Sequence, residues 1–247
     1  MNFKKDVLNK IFWVTIFAIT MAYLETAIVV YLRELYYPNG FSFPLMPIEN
    51  NIAIVEIGRE FATILMLISI SVLVAKKFTE RFAYFLLSFA VWDIFYYVFL
   101  KLLLNWPESF LTWDILFLIP IPWVGPVIAP VLLSLTMIFF AVLILFFNIE
   151  FERVKIKALD WMLLTLGSLV VILSFVRDYA SFVLSKYNLS EIFQPDSKDA
   201  LMTMSLKYFP NEFIWWIFWL GEIIILLGIF TFYNRTKGLL RKDKIEV

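Results

Sequence analysis

The sequence predicts an all-α membrane protein, a polytopic bundle of about six transmembrane helices. Of its 247 residues, 62% are hydrophobic and only 17% are charged, and the mean hydropathy is +0.84. These values lie far from those of a soluble domain. The charges also cluster between apolar runs longer than ~18 residues, the length that crosses a bilayer. We expect a single integral membrane domain over residues 1–247.

Six apolar runs predict the transmembrane helices in order. The first run has no small-residue cleavage site, so we expect a retained helix rather than a signal peptide. The fourth is expected to open at Gly125 and Pro126, since proline suits the first turn of a helix. The six runs cover residues 11–32, 53–75, 82–104, 125–147, 159–186 and 212–233.

The segment between the third and fourth runs is apolar but broken by prolines. Residues 113–124 are too short to span, and Pro120 and Pro122 interrupt them. Proline removes a backbone donor, and irregular backbone is tolerated at membrane depth only where it is buried in protein or lines water. The pattern predicts a short re-entrant or interfacial segment that covers a polar cavity. The alternative is an ordinary outer loop before a helix that begins with prolines.

Basic residues outside the helices are distributed asymmetrically. Fourteen lysines and arginines lie in the N-terminal segment, in the second-to-third and fourth-to-fifth loops and in the C-terminal segment, against four in the other loops. The positive-inside rule therefore predicts cytoplasmic N- and C-termini. We expect a multi-pass protein of the plasma (inner) membrane.

The composition disfavours several kinds of site and partner. The chain contains no histidine and no cysteine, which disfavours haem ligation, zinc sites and disulfides, and no cofactor is predicted. The formal net charge is zero and no basic stripe is visible, so nucleic acid is not an expected partner. The expected partners are the lipid bilayer and a cation or small polar solute.

Ionisable residues lie in the outer half of five predicted helices, whereas long inner stretches carry none. One charge at a helix centre costs ~2.5–3.5 kcal/mol, so these groups should face one another or water. We expect an outward-facing polar pocket that apolar side chains close on the cytoplasmic side. Its candidate residues are Glu25, Glu56, Arg59, Glu60, Asp93, Tyr97, Lys101, Asp114, Arg177, Asp178 and Glu222.

Acids outnumber bases among the candidates that lie within helices. Six carboxyl groups stand against three basic groups, and Glu56 and Glu60 share a helix face. Surplus carboxyl groups in a low-dielectric site either bind protons or hold a cation. We therefore expect binding or transport of a cation or of a cationic or zwitterionic small solute.

One stretch resembles a known group of proteins. Residues 92–126, WDIFYYVFLKLLLNWPESFLTWDILFLIPIPWVGP, resemble a run in an uncharacterised family of bacterial multi-pass membrane proteins with no assigned activity. The resemblance covers about a seventh of the chain. It implies no activity and no role for any residue.

Two further functions remain open. A carboxylate- and metal-dependent intramembrane enzyme acting on lipid-linked substrates would use acids at the headgroup level, although the sequence has no dense acidic signature such as paired D-x-x-D motifs. A structural or assembly subunit would use the same charges as buried ion pairs that hold helices together.

Overall fold

The computed structural model describes residues 3–119, 121–150, 154–188 and 206–243. Within these residues, six helices are long and apolar enough to cross a membrane, which confirms the predicted multi-pass helical bundle. A two-stranded sheet lies between the third and fourth helices. The elements are α1 (Phe3–Tyr36), α2 (Asn50–Val74), α3 (Phe78–Leu104), β1 (Trp113–Phe117), β2 (Trp123–Pro126), α4 (Ile128–Glu150), α5 (Ala158–Leu184) and α6 (Trp215–Asp243).

The bundle has two chemically different ends. We call the end where α1 and α3 finish, at Tyr36 and Leu104, the hairpin end, because the two strands follow α3 there. The opposite end, where α3 begins at Phe78 and α5 at Ala158, is the basic end. Asn105 terminates α3 in the left-handed conformation, with φ 52°, which asparagine tolerates better than most residues.

Helix α3 packs against α1, α2 and α4, whereas α5 packs most extensively against α6. Two glycines allow α5 and α6 to cross closely. A Cβ atom at Gly167 would lie 2.8 Å from the carbonyl oxygen of Gly221, and one at Gly221 would lie 2.8 Å from that of Gly167. Small residues at a helix crossing are typical of membrane bundles, where close backbone packing replaces the hydrophobic effect as the attraction between helices.

The segment between α3 and α4 adds one antiparallel β-hairpin to the otherwise helical bundle. Trp113 pairs with Pro126 and Ile115 with Val124, and the register shifts between Ile115 and Phe117. Aromatic and β-branched residues favour strands, and pairing satisfies backbone groups that prolines prevent from forming a helix. The sequence analysis found the interruption but did not predict the strands.

The start of the fourth helix was also predicted incorrectly. Gly125 and Pro126 belong to β2, and α4 begins at Ile128. A Cβ atom at Gly125 would lie 2.9 Å from the Phe175 ring, so the strand requires a glycine to approach α5. Pro130 is the proline that lies in the first turn of α4, where it removes no helical hydrogen bond.

The hairpin packs against the middle of the bundle. The Phe117 ring stacks on Phe89 with centroids 6.3 Å apart. Phe89 lies about 22 Å along α3 from its end at the hairpin end. The Trp123 ring stacks on Phe175 of α5, also at 6.3 Å. The hairpin backbone is therefore surrounded by protein side chains from α3 and α5.

Candidate functional site

A cavity of about 50 Å³ lies between α1, α2, α3 and the first strand of the hairpin. A volume of this size accommodates a few water molecules or a small ion, because one water needs ~10–15 Å³ of such space. Five of the eleven predicted site residues line it. The complete lining consists of Glu25, Arg59, Glu60, Thr63, Trp92, Asp93, Tyr96, Tyr97, Ile115, Leu116 and Phe117.

Three carboxyl groups of the cavity come from three different helices at one level. Glu25 of α1, Glu60 of α2 and Asp93 of α3 are all buried. Each lies about 15–17 Å from the hairpin end of its helix at 1.5 Å per residue. The agreement in depth explains how residues far apart in sequence line one small cavity.

Arg59 neutralises part of this negative charge. Its guanidinium pairs with Glu25, and its Nη2 atom donates to Glu56 at 2.7 Å. The Thr63 hydroxyl donates a further hydrogen bond of 3.0 Å to Glu25. Glu56 therefore contacts the cavity wall through Arg59, although it is not part of the lining. These residues form a buried acid–base–acid group between α1 and α2.

Glu60 connects α2 to the hairpin. Both of its carboxylate oxygens lie 3.0 Å from the backbone nitrogen of Leu118, which donates to them. Leu118 immediately follows β1, where the backbone leaves the strand ladder. The Glu60 side chain thus satisfies a backbone donor beside the irregular turn, and a buried donor without a partner would be costly.

Asp93 faces the cavity with only a neutral partner. The Ser134 hydroxyl of α4 donates to its Oδ2 atom at 2.9 Å. No basic side chain of the described residues lies within 4.0 Å of its carboxyl group. The adjacent Trp92 also lines the cavity, and its buried indole N–H has no hydrogen-bond partner in the described part of the chain. Asp93 is therefore the cavity carboxyl with the weakest charge compensation.

A second polar group adjoins the cavity through Tyr97. The Tyr97 hydroxyl donates to Asp114 at 3.2 Å, and the Asp114 carboxyl lies 3.7 Å from Nη2 of Arg33. The Arg33 guanidinium stacks over the Trp106 ring, 3.8 Å from its centroid. Burial raises the pKa of Asp114 to about 6, although the nearby Arg33 cation acts in the opposite direction.

Four predicted site residues lie elsewhere. Lys101 points toward the end of α3, where its ammonium donates to the carbonyl of Pro107 at 2.9 Å, and Arg177 is exposed. Asp178 accepts a 2.5 Å hydrogen bond from Tyr208 and anchors the chain before α6. Glu222 accepts a hydrogen bond from Thr136 between α4 and α6. The sequence indicated which helix carries each of these residues but could not indicate which neighbour each would face.

Several residues of the site were not predicted. Arg33 was assigned to an outer loop because the first span was expected to end at residue 32, whereas α1 continues to Tyr36 and Arg33 is buried. Thr26 precedes it by seven residues on the same helix face and donates to the carbonyl of Tyr96, a spacing that indicates a shared packing face. Serine and threonine hydroxyls were not considered because they carry no charge, so Thr63 and Ser134 were missed. The other lining residues absent from the predicted set are Trp92, Tyr96, Ile115, Leu116 and Phe117.

The cavity retains a surplus of acid. Three carboxyl groups and one guanidinium line it, and the groups directly behind them add Glu56, Asp114 and Arg33. Within the described ranges, no group of three or more acidic side chains is arranged to hold a metal ion. Carboxyl groups beside aromatic faces are instead a combination that attracts compact cations, because both present negative potential.

Comparisons with known proteins add no assignment. No protein-family model matches the chain, and no curated protein or solved structure is significantly similar to it. The functional interpretation therefore depends on the chemistry of the cavity and on the six membrane-length helices around it.

Proposed function

We propose that this integral membrane protein binds a small monovalent cation of the ammonium class in the acid-rich cavity between α1, α2, α3 and the hairpin. The observation that carries the proposal is the position of Asp93. Its buried carboxyl faces the cavity with a serine hydroxyl as its partner and with no basic side chain within 4.0 Å among the described residues. A charge in that position calls for a cation or a proton.

The size of the cavity favours a compact ligand. About 50 Å³ is enough for ammonium, methylammonium or a monovalent metal ion with water, but it is small for an amino acid. Trp92 and Tyr96 contribute aromatic surface to the lining, and aromatic faces attract ammonium groups. These features favour a cation over the larger zwitterionic solutes that the sequence also allowed.

We further propose that the cavity opens toward the outer face of the plasma (inner) membrane, with both termini cytoplasmic. The distribution of basic residues supports this orientation, because it places the hairpin end outside. The contact of Phe117 with Phe89 supports a re-entrant hairpin rather than a surface loop, since Phe89 lies well inside α3. On the side of the cavity toward the basic end, α1, α2 and α3 bury the apolar side chains of Val14, Leu67 and Leu87. We therefore propose that the cation enters and leaves the cavity from the outer side of the membrane.

A structural role is the second candidate. The Glu25–Arg59–Glu56 group joins α1 to α2 without requiring any ligand, as buried ion pairs do in many proteins. Asp93 distinguishes a structural role from cation binding, because a purely structural ion-pair network leaves the charge of Asp93 uncompensated. The metal-dependent enzyme is less favoured, since the described carboxyl groups do not converge on a metal position.

The test is a thermal-shift titration of the purified protein with ammonium, methylammonium, sodium and potassium chloride at constant ionic strength. A ligand at 100 times its Kd stabilises by about 2.7 kcal/mol, so we expect a rise in Tm of about 5 °C or more with the ammonium salts. Asp93→Asn should abolish the rise. The amide still accepts the hydrogen bond from Ser134, so the ligand-free variant should melt at or above the wild-type temperature.

Asp178→Asn is the matched control, because Asp178 is bonded to Tyr208 outside the cavity. It should lower the Tm of the ligand-free protein and leave the ammonium response intact. If the wild type shows no cation response, and Asp93→Asn destabilises the protein, the carboxyl is structural and the binding proposal is wrong. A response only to sodium or potassium would reject the ammonium class.

A further inference from the structure

Two cavities adjoin Trp161 near the basic end of the bundle. The first has a volume of about 470 Å³ and lies between the loop before α3 and the loop before α5. The second has a volume of about 460 Å³ and lies between α3 and α4 on one side and α5 and α6 on the other. Trp161 lines both cavities, so they are neighbours that share one side chain.

The first cavity is basic and has an aromatic wall. Lys77 and Lys155 line it from opposite loops, together with the Thr79 hydroxyl and the Phe78 ring. Lys77 lies 3.9 Å from Glu80, and this long contact is weak because the lysine side chain is half exposed to solvent. Two ammonium groups and a hydroxyl around an open cavity suit a phosphate group, which accepts hydrogen bonds from all of them.

The loop that carries Lys155 is held in place before any ligand binds. Arg235 of α6 donates to the carbonyl oxygen of Lys155 at 2.8 Å. The same guanidinium pairs with the fully buried Asp160, which also accepts a 2.8 Å hydrogen bond from the backbone of Lys157. The backbone bearing one of the two lysines is therefore preorganised, which reduces the entropic cost of binding.

The second cavity is a cleft lined almost entirely by apolar side chains. Along α5 it extends from Trp161 to Ile172. The eleven steps between these two residues correspond to about 16 Å of helix at 1.5 Å each, which is about half of the ~30 Å hydrocarbon core of a bilayer. The cleft therefore has the depth of one leaflet and begins at the level of the two lysines.

We infer that the protein binds an anionic phospholipid here, with the phosphate between Lys77 and Lys155 and an acyl chain in the cleft along α5. Basic pockets between helices on the cytoplasmic side of membrane proteins are suited to anionic headgroups. The position of the basic cavity beside the apolar cleft, with Trp161 in both linings, favours a lipid over a free phosphate, because a soluble phosphate would leave the cleft unused. The ring of Phe82 lies 4.7 Å from that of Trp161 and would contact the chain near the glycerol.

The inference can be tested by native mass spectrometry of the full-length protein in detergent with phosphatidylglycerol and with phosphatidylcholine. Phosphatidylglycerol should bind more tightly to the wild type. The double substitution Lys77→Gln with Lys155→Gln should weaken its binding about 30-fold, since each basic group near a headgroup contributes about a factor of five. The control Lys5→Gln with Lys76→Gln removes the same charge outside the cavity and should change binding less than about threefold.

A second pair of variants tests the acyl chain. Ser168→Phe places a ring in the cleft, whereas Leu166→Phe adds a comparable ring at an exposed position of α5 outside the cleft. Of these two variants, only Ser168→Phe should weaken the binding of phosphatidylglycerol. An equal loss of phosphatidylglycerol binding in the Lys77/Lys155 variant and the Lys5/Lys76 variant would indicate general attraction to the basic surface. That result would overturn the proposed site. Unchanged binding in Ser168→Phe, or equal competition by glycerol 3-phosphate, would reject the lipid in favour of a free phosphate ligand. Thermal melting in the absence of lipid verifies that every variant is folded.

Discussion

Both carboxylate oxygens of Glu60 lie 3.0 Å from the backbone nitrogen of Leu118. This hydrogen bond joins the middle of α2 to the end of β1. This contact crosses 58 positions of sequence and, together with the hydrogen bond from Tyr97 to Asp114, links the lining of the acidic cavity directly to the hairpin. The position of the hairpin and the position of one cavity carboxyl therefore depend on each other.

Glu60→Ala should loosen the hairpin, because the Leu118 N–H group loses its acceptor in a buried region. A buried donor without a partner costs about 1–3 kcal/mol. We expect a lower Tm and faster hydrogen exchange at the Leu118 amide, whereas Glu60→Gln should retain most of the protection through its amide oxygen. Glu49→Ala is the control, since Glu49 precedes α2 without a side-chain capping bond. Equal exchange at Leu118 in the wild type and in Glu60→Ala would contradict this role.

Arg59→Gln should be the most destabilising single substitution in the cavity. It removes the partner of Glu25 and of Glu56, and breaking a buried ion pair costs on the order of 3–5 kcal/mol. Adding Glu25→Gln should restore part of the loss, because one of the two unpaired charges is then removed. Equilibrium unfolding in detergent measures both effects.

The surface pair between Lys10 and Asp6 provides the comparison for Arg59. Both of these side chains are about one-third exposed, so Lys10→Gln should cost less than about 1 kcal/mol. If Arg59→Gln is no more harmful than Lys10→Gln, the buried group does not hold α1 and α2 together.

Asp114 should make stability depend on pH. Its pKa rises from 3.8 to about 6 on folding because of burial, so the folded protein binds this proton more tightly than the unfolded chain does. The contribution of this proton to the free energy of unfolding is complete below about pH 4. It is lost as the pH rises through 6, by up to about 3 kcal/mol. The charged and titratable groups near Asp114 are Arg33, Tyr96, Tyr97 and Asp93.

Asp114→Asn removes that titration. The Tm of the wild type should therefore fall relative to that of the variant between pH 4 and pH 7, measured in parallel by thermal unfolding. A Tm difference that stays constant over this range would mean that Asp114 does not take up a proton on folding near pH 6.

The proposed orientation can be tested with single cysteines, because the chain contains none. Cysteines at Ser42 and Ser109, both exposed at the hairpin end, should react with an impermeant maleimide in intact cells. A cysteine at Lys237, which is exposed at the basic end, should react only after the cells are permeabilised. Labelling of residue 237 in intact cells would reverse the orientation and place the acidic cavity on the cytoplasmic side.

Ser197 and Lys198 lie outside the described residues, as do Pro120 and Arg153, so the structure does not bear on the predictions that involve them. The probes at Ser42 and Ser109 lie on described parts of two different connections at the hairpin end. Agreement between them would therefore test the orientation twice.

The sequence by itself determined the class of the protein and the helix on which each buried charge lies. Apolar runs long enough to cross a bilayer predict helices, because such a segment must satisfy its backbone internally. The common level of Glu25, Glu60 and Asp93 follows from the helix ends in the structure at 1.5 Å per residue. The prolines similarly marked the point where helical structure is interrupted.

Only the tertiary structure decided which of those charges meet. Lys101 and Asp93 lie on one helix, yet Lys101 bonds to backbone carbonyls at the end of α3 while Asp93 faces the cavity. A helix sequence specifies depth and face, but the rotation of one helix against its neighbours depends on packing across the whole bundle. The β-hairpin depends in the same way on contacts with Phe89, Phe175 and Glu60, which are distant in sequence. Strand pairing and buried polar partners arise from such long-range contacts, which a local pattern of residues does not contain.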